Sequence, residues 1–260
     1  MTGKDAKIRL FLATPLTLGA QVALGENQTH YLRNVMRLAE GDVVLAFDGV
    51  NGEFRCRIVE LGKKLGVLHV DRQTRAQRDA GDLWLVFAPI KKTPIDFIGA
   101  KATELGVAAL IPVITKRTIV TRVNATRLSA NAVEAAEQCG RLTVPVVRPA
   151  VTFDALLAAW PDERRILLCA ESGDAQPIFD AVSEIQRAGQ ADRSWAICIG
   201  PEGGYAPEEL ATLRKKPNVT AVSLGERLLR ADTAALASIA CWQAIAGDWR
   251  RPRVPEPGDR

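Results

Sequence analysis

Ile199–Gly204 reads IGPEGG and Leu224–Ala234 reads LGERLLRADTA, and these two segments indicate the fold more strongly than any other part of the chain. Each segment follows an apolar, β-like run, and each leads into a helical pattern. In an open α/β sheet, small ligands bind in the loops at the carboxyl ends of successive strands. The two segments therefore predict a ligand site in a sheet of this type, and they make the chain an enzyme candidate.

Strands and helices alternate along the chain from about residue 81 onward. The predicted strands are Leu83–Ala88, Ala108–Ile114, Val144–Val147, Arg165–Ala170, Trp195–Ile199 and Val219–Leu224. The predicted helices are Ile95–Leu105, Asn124–Cys139, Phe153–Trp160, Pro177–Arg187, Pro207–Lys215 and Asp232–Ala246. Alternation at this spacing predicts a mostly parallel sheet covered by helices, so the fold class is α/β. We assign this domain to residues 76–248.

The first 75 residues have a different pattern, in which turns divide short β-like runs. The runs are Ile8–Ala13, Val43–Phe47, Glu53–Val59 and Val67–Val70, and a helix is predicted at Gln28–Leu38. Asp48-Gly49 and Asn51-Gly52 are strong hairpin signals. The pattern predicts a small β-barrel over residues 1–75, a form common among nucleic-acid modules. Residues 249–260, rich in Pro and charge, are predicted to be a disordered tail.

Composition excludes several functional classes. The chain is 47% hydrophobic and 25% charged, which is typical of globular proteins, and no apolar stretch reaches the ~18 residues of a membrane span. Its 5 cysteines follow no pattern, which fits a reducing cytosol better than a disulfide framework. Since His30 and His69 are the only histidines, we predict no metal site and no Ser-His-Asp triad. Neither G-x-G-x-x-G nor G-x-x-x-x-G-K-[ST] occurs.

Two features leave alternatives open. Basic residues cluster at Lys116, Arg117, Arg122 and Arg127, at Lys91–Lys92 and at Arg214–Lys216. These clusters are either the footprint of a polyanion or, as charge alone favours, ordinary solvated faces. The last helix is almost entirely apolar from Ala234 to Ala246, so every side of it should be buried. Either a partner subunit covers this helix or it is a core helix.

The residues of the two segments suit ligand binding. In IGPEGG, Gly203 and Gly204 permit positive φ and a close approach of the backbone. Such a loop can present backbone N–H and C=O groups to the edge of a purine, or it is only a tight turn between strand and helix. In the second segment, Arg230 lies near the strand end, where an arginine can hold a phosphate or a developing anion. Asp232 or Thr233 is expected to cap the helix that follows.

Four ordered motifs in the second domain resemble the RsmE family. They are KATELGV (Lys101–Val107), EAAEQCGR (Glu134–Arg141), IGPEGG and LGERLLRADTA. In the first domain, HYLRNVMRL (His30–Leu38) and GDVVLAFDG (Gly41–Gly49) are similar to the PUA-like barrel of the same family. The RsmE proteins are 16S ribosomal RNA uridine-N3 methyltransferases of the SPOUT, or trefoil-knot, superfamily. The resemblance spans roughly residues 8–247.

The resemblance implies an N-terminal PUA-like barrel that binds RNA, a knotted methyltransferase domain and a cytoplasmic homodimer. Periodicity alone predicts an unknotted doubly wound sheet, because true knots are essentially absent in general. The implied cofactor is S-adenosyl-L-methionine, held by loops at Cys169–Gly173, Gly200–Gly204 and Leu224–Arg230. The expected cofactor-binding residues are Ala170, Glu171, Gly200, Pro201, Glu202, Gly203, Gly204, Leu224, Gly225, Leu228, Leu229 and Arg230.

The implied reaction is methylation of uridine N3 in 16S ribosomal RNA of the small subunit, for which the N3 proton must be removed or shared. We expect Arg230 to hold the anion or a substrate phosphate, and Glu202 to contact the cofactor or relay the proton. The alternative for Glu202 is a turn carboxylate bonded to backbone. The RNA contacts expected from charge are Arg33, Arg37, Lys91, Lys92, Arg117 and Arg141. A 2′-O-ribose methyltransferase and a non-catalytic RNA-binding assembly factor are the alternative functions.

Overall fold

The computed structural model describes residues 8–78, 81–90, 92–120, 122–170 and 173–250, without the side chains of residues 92–94. These residues divide into two compact units. The first unit holds residues 8–78 and 136–143, and the second holds the remaining described residues. Residues 136–143 join the first unit from a distant part of the chain, which sequence periodicity does not report.

The first unit is built on a five-stranded sheet. Its strands are β1 (Arg9–Phe11), β2 (Gln21–Leu24), β3 (Val43–Phe47), β4 (Glu53–Leu61) and β5 (Gly66–Arg75). They lie in the order β1-β3-β4-β5-β2, with β1 parallel to β3 and the other neighbours antiparallel. The sequence predicted all of these strands except β2, where Ala23 is exposed although it is apolar, so that polar and apolar residues do not alternate in the sequence.

The predicted hairpin joins β3 to β4. The Asp48 carboxylate accepts hydrogen bonds from the N–H groups of Val50 at 2.9 Å and Asn51 at 2.7 Å. Burial raises the pKa of Asp48, but these and other hydrogen bonds outweigh burial and lower it below its usual value. Gly49 and Gly52 have φ of 85° and 95°, which glycine adopts without strain. The Asp-Gly and Asn-Gly prediction is therefore confirmed.

The predicted helix at Gln28–Leu38 is shorter and less regular than its pattern indicated. Helix α1 covers Glu26–His30 and continues as a π-helical turn over Tyr31–Val35. Arg37 follows this turn in the left-handed region, with φ of 55°. The i, i+4 spacing that would place Arg33 and Arg37 on one helical face is therefore not maintained, because the α-helical repeat ends before Arg37.

A buried carboxylate fastens residues 136–143 to the first unit. Glu53 is 3% exposed and forms ion pairs with Arg9 at 2.7 Å and Arg75 at 2.8 Å. The Arg9 guanidinium also donates to the carbonyls of Ala136, Glu137 and Arg141, each within 2.8 Å. Burial raises the pKa of Glu53, but the hydrogen bonds and charges of Arg75 and Arg9 outweigh burial and lower it.

Glu53→Gln should destabilise the first unit by about 3 kcal/mol at neutral pH, because it leaves two arginines without their buried partner. Because the pKa of Glu53 is lower in the folded unit than in the unfolded chain, its ionised form stabilises the fold above about pH 4. This stabilisation is lost as the pH falls through the lowered folded pKa, so variant and wild type should converge in acid. Hydrogen exchange of β4 and β5 measures the effect. Glu60→Gln, on an exposed position of the same strand, is the control.

The second unit is a parallel sheet with helices between its strands. Its strands are β6 (Leu83–Phe87), β7 (Ala109–Ile114), β8 (Val146–Val147), β9 (Val151–Thr152), β10 (Arg165–Cys169), β11 (Gln176–Pro177), β12 (Trp195–Ile199) and β13 (Val219–Ser223). Its helices are α2 (Lys92–Glu104), α3 (Ala125–Cys139, ending in the first unit), α4 (Phe153–Ala158), α5 (Ile178–Arg187), α6 (Pro207–Arg214) and α7 (Ala231–Ile245). The strand order is β11-β13-β10-β12-β6-β7-β8, and β9 pairs with β7. The predicted strands and helices are confirmed, whereas the short strands β9 and β11 were missed.

Helices cover both faces of this sheet, as its unbroken apolar strands indicate. On one face, Leu85 and Phe87 of β6 belong to a core shared with α2, α5 and α7. On the other face, Val86 belongs to a core shared with Phe153 of α4 and Leu213 of α6. Adjacent residues of a strand point to opposite faces, so β6 must be apolar throughout.

Helix α7 is buried on one side only. Its buried residues are Ala231, Ala235, Ser238, Ile239, Trp242 and Gln243. Trp242 packs on Trp195 of β12, with ring centroids 5.4 Å apart. Half-buried Ala234, Cys241 and Ile245 also pack against the core, whereas Leu236, Ala237 and Ala240 are half-buried on the other side, where Ala244 is exposed. The core-helix alternative therefore accounts for one side of α7 and leaves an apolar stripe on the other.

The sheet brings the two glycine-bearing segments to one edge. In sequence β13 follows β12, but in the sheet β10 lies between them. Because these strands are all parallel, their carboxyl ends meet at the same edge. One segment begins there at Ile199 and the other directly after Ser223. The threading of the chain through a knot stays a prediction from the resemblance.

No helix within the described residues is both long enough and apolar enough to cross a bilayer. Of the tail predicted to be disordered, residues 251–260 lie outside the described residues. Trp249 and Arg250 belong to a 3-10 turn at Asp248–Arg250.

Candidate active site

IGPEGG forms a tight turn between β12 and α6. The Gly204 N–H donates to the Pro201 carbonyl at 2.8 Å, and Gly204 has φ of 67°, which favours glycine. The Tyr205 ring packs so closely on Gly200 that a Cβ added there would lie 3.1 Å from it. The backbone therefore favours glycine at position 204, and a side chain at position 200 would require the Tyr205 ring to move.

LGERLLRADTA begins at the end of β13 and enters α7. Gly225 has φ of 98°, and Arg230 is the N-cap residue of α7, without a side-chain capping bond. The expectation that Asp232 or Thr233 caps α7 is wrong, because the helix already begins at Ala231. Asp232 lies in the first turn, where its carboxylate accepts a hydrogen bond from the Thr233 N–H at 2.7 Å. A carboxylate there is favourable to the helix dipole.

A cavity of about 180 Å³ opens where the two segments meet. The ends of three strands, the loops after them and the first turn of α7 form its wall. The lining residues are Cys169, Ala170, Ile199, Gly200, Pro201, Val222, Ser223, Leu224, Gly225, Glu226, Arg227, Leu228, Leu229, Ala231 and Ala234. A concave wall that combines apolar side chains with polar groups is typical of small-molecule sites.

Many of the predicted cofactor-binding residues lie in this wall. They are Ala170, Gly200, Pro201, Leu224, Gly225, Leu228 and Leu229. Among the described residues, Glu202, Gly203, Gly204 and Arg230 do not line the cavity. Glu171 lies outside the described residues. Contact of any of these residues with a cofactor stays a prediction.

Sequence reasoning missed several lining residues. Ile199, Val222 and Ser223 are the last residues of their strands, and the predicted strand ends were a signal that could have found them. Glu226 and Arg227 lie between Gly225 and Leu228, which were predicted to bind the cofactor. They supply the charged groups of the wall. Ala234 lines the cavity because the first turn of α7 reaches it. Sequence reasoning could have found this residue only if the first residue of the helix had been known.

Cys169 brings a thiol to the cavity wall, 3.2 Å from the Ser238 hydroxyl of α7. Burial raises the pKa of this thiol to about 11. Because the thiolate is the reactive form of cysteine, Cys169 is a protonated thiol and a poor nucleophile at neutral pH. A covalent role for it in catalysis is therefore not supported.

The two candidate catalytic residues are exposed. Glu202 follows Pro201 directly, and Arg230 lies between Leu229 and Ala231, so each is adjacent in sequence to residues of the cavity wall. The Glu202 side chain makes no hydrogen bond with another described residue. The turn carboxylate bonded to backbone is therefore not seen in the part of the chain that the structure describes.

The candidate RNA-binding residues are dispersed. Arg33 and Arg37 are exposed on the first unit. Arg117 donates to the Gly203 carbonyl at 2.8 Å, and Arg141 donates to the Thr143 hydroxyl at 3.0 Å. Lys91 lies outside the described residues, and Lys92 belongs to α2 but its side chain is not described.

Two family models match the chain. One is described as an RNA methyltransferase domain and matches residues 77–243, and the other is an RNA methyltransferase PUA domain and matches residues 24–70. Ribosomal RNA small subunit methyltransferase E of Rickettsia conorii is 30% identical over 233 residues, which cover 89% of this chain and 93% of that protein. The chain belongs to the ribosomal RNA small subunit methyltransferase E family. The family member of Bacillus subtilis is also 30% identical, over 80% of this chain and 84% of its own.

Solved structures of the family share the fold. A family member from Neisseria gonorrhoeae, bound to S-adenosyl methionine, superposes with a TM-score of 0.82 and 29% identity. The match covers 93% of this chain and 99% of that one. The predicted α/β class, with an N-terminal PUA-like domain and a parallel-sheet methyltransferase domain, is therefore confirmed.

Proposed function

We propose that this chain is an S-adenosylmethionine-dependent methyltransferase that modifies N3 of a uridine in 16S ribosomal RNA. The cavity at the carboxyl ends of β10, β12 and β13 carries the proposal, because all three loops that the resemblance assigns to the cofactor contribute residues to its wall. The names of the relatives and the S-adenosyl methionine in the Neisseria gonorrhoeae structure support the cofactor and the methylation of small-subunit ribosomal RNA, and uridine N3 rests on the resemblance.

The cavity wall fits the chemistry of this cofactor. Ile199 and Val222 supply apolar surface for a flat ring such as adenine. Gly225 has no side chain to block its backbone N–H and C=O groups. The Arg227 guanidinium suits the carboxylate of the amino-acid part, and the Glu226 carboxylate suits an ammonium or ribose hydroxyls.

S-adenosylmethionine, when bound, supplies an electrophilic methyl group on a positively charged sulfur. Uridine N3 carries a proton at neutral pH, and it becomes nucleophilic only when that proton is removed or shared. We assign contact with the cofactor or the proton relay to Glu202, and stabilisation of the anion on the uracil oxygens to Arg230. Exposure of both side chains leaves them accessible to an RNA substrate.

The proposed macromolecular partner is 16S ribosomal RNA or the small ribosomal subunit. Arg33 and Arg37 flank exposed apolar side chains, of which Val35 and Met36 are 58% and 37% exposed. Arginine with neighbouring apolar surface suits phosphates and unstacked bases. Lys91, Lys92 and Arg141 are the candidates for further RNA contacts, whereas the Arg117 guanidinium already donates to the Gly203 carbonyl. A substrate of this kind implies a cytoplasmic enzyme.

We also propose a homodimer. The apolar stripe on α7 is half-buried within one chain, and it consists of Leu236, Ala237 and Ala240. Burying such a stripe against a second copy removes apolar surface from water, at about 25 cal/mol per Å². Small residues in this stripe permit close helix packing.

Deletion of the gene should remove one reverse-transcription stop from 16S ribosomal RNA, and wild-type protein should restore it. A methyl group on uridine N3 blocks the Watson–Crick face and stops the polymerase, whereas a ribose methyl mostly does not. A modification detected without a stop would favour the 2′-O-ribose alternative. Calorimetry that detects no binding of S-adenosylmethionine to the purified chain would favour the non-catalytic assembly factor.

A further inference from the structure

The loop after β7 reaches the IGPEGG turn, although β6 lies between β7 and β12 in the sheet. This loop covers Thr115–Thr118, and we call it the β7 loop. It belongs to the basic cluster that the sequence left between a polyanion footprint and a solvated face. Its hydrogen bonds with the IGPEGG turn and with the start of α6 support a third role, which is to hold that turn in place.

A buried carboxylate joins the β7 loop to the start of α6. Glu209 is 3% exposed. One of its oxygens accepts the Lys116 N–H at 2.9 Å, and the other accepts the Ala206 N–H at 2.9 Å. Both oxygens of a buried charge are thus satisfied by backbone donors from two loops, and such charge-assisted bonds are about twice as strong as neutral ones.

Arg117 makes the second connection, directly to the glycines. Its Nη1 donates to the Gly203 carbonyl at 2.8 Å. Its side-chain stem lies against the same residue, since a Cβ added to Gly203 would be 3.8 Å from Arg117 Cδ. The exposed pair of Lys116 Nζ and Glu208 Oε1, 2.5 Å apart, adds a weaker third connection.

Hydrogen bonds within the β7 loop restrain its conformation. The Thr115 N–H donates to the Thr118 hydroxyl at 3.0 Å, and the Thr118 N–H donates to the Thr115 carbonyl at 3.1 Å. The loop is therefore closed by its own hydrogen bonds at the end of a buried strand. A glycine-rich turn held by such a loop loses less conformational entropy when a ligand binds, because its backbone is already ordered.

We infer that Arg117 and Glu209 are positioning residues, which hold IGPEGG in the conformation that binds the cofactor. Arg117 holds the Gly203 carbonyl, and the hydrogen bond from Gly204 to Pro201 carries that restraint to the cavity wall. The inference rests on the proposed function, because it assumes that S-adenosylmethionine occupies the cavity. The inference is that the Arg117 guanidinium binds the IGPEGG turn instead of an RNA phosphate.

Calorimetry with S-adenosylmethionine, without RNA, tests the inference. Arg117→Ala should raise the dissociation constant about tenfold, since a hydrogen bond to a charged group is lost. Arg117→Lys should restore part of the affinity, because an ammonium can still donate to the Gly203 carbonyl. Arg193→Ala is the matched control, since Arg193 is exposed near the amino end of β12, opposite IGPEGG, and should leave the affinity unchanged.

Two further readouts separate positioning from general loss of structure. At saturating cofactor the kcat of Arg117→Ala should be close to that of wild type, whereas its KM for S-adenosylmethionine should be raised. Hydrogen exchange of residues 200–206 in the ligand-free protein should be faster in Arg117→Ala and in Glu209→Gln than in wild type. Glu209→Gln is informative because its amide can accept only one of the two N–H groups, and thermal unfolding checks that it folds.

The outcomes distinguish the inference from the proposed function. If the wild-type chain binds S-adenosylmethionine and Arg117→Ala binds it equally well, with only KM for RNA raised, Arg117 is an RNA contact and the inference is wrong. If residues 200–206 exchange at the wild-type rate in both variants, the restraint does not exist. Wild-type protein without any affinity for S-adenosylmethionine would overturn the proposed function and the inference together.

Discussion

Ala234→Phe should weaken binding of S-adenosylmethionine more than about 100-fold, an increase in dissociation constant that corresponds to about 2.8 kcal/mol. Ala234 lines the cavity from the first turn of α7, so a phenyl ring at this position extends into a volume of about 180 Å³. The ring removes space that the cofactor needs, and a close-packed wall cannot widen without strain. Isothermal titration calorimetry of the purified variant measures the loss.

The control for this substitution is Ala130→Phe. Ala130 is an exposed residue inside helix α3, so the same change in size and in helix propensity occurs away from the cavity. Both variants should unfold within a few degrees of wild type, because Ala234 is only half-buried. Wild-type affinity in Ala234→Phe, with folding intact, would mean that the cofactor binds elsewhere.

The location of the site was predictable because it depends on strand order and glycine. Parallel strands buried on both faces must be apolar throughout, and this made β12 and β13 visible as unbroken runs. The segments after them carry the glycines that a tight turn requires, at Gly204 and Gly225. The pattern of buried strands and turn residues thus predicts the edge of the sheet at which the cavity lies, without any knowledge of side-chain contacts.

Contacts between distant side chains were not predictable from the same pattern. Glu209 reads as an ordinary acidic residue in the first turn of a helix, yet its carboxylate is buried between two loops. Arg117 reads as one cation of a basic cluster, yet it donates to Gly203. Periodicity reports which face of an element is apolar, whereas these bonds depend on the packing of β7 beside β6.

The choice between Arg227 and Arg230 also required the structure. Both arginines occur in one loop, and the sequence analysis favoured Arg230 because it lies near the strand end, where an arginine can hold an anion. In the structure Arg230 is the N-cap residue of α7 and does not line the cavity, whereas Arg227 does. The point at which a helix begins decides which side chains of the preceding loop face the cavity, and boundaries are the least certain part of a sequence prediction.

Arg230→Ala should lower kcat for RNA methylation about 100-fold, which is typical for loss of one group that stabilises a developing anion. Its dissociation constant for S-adenosylmethionine should stay within about twofold of wild type, because Arg230 lies outside the cavity wall. Arg227→Ala should show the reverse, with a dissociation constant raised about tenfold by loss of a charged hydrogen-bond donor. Calorimetry without RNA and single-turnover methylation at saturating cofactor measure the two effects.

The pair is well matched, since both arginines are exposed and lie three residues apart in the same loop. The pH dependence separates the anion role of Arg230 from a contact with a substrate phosphate. If Arg230 stabilises the uridine anion, raising the pH should restore part of the rate of Arg230→Ala, because more of the uridine loses its proton unaided. A phosphate contact predicts instead a raised KM for RNA and an unchanged pH profile. Turnover of Arg230→Ala at the wild-type rate would exclude both roles, and the anion would then need another donor at the same edge of the sheet.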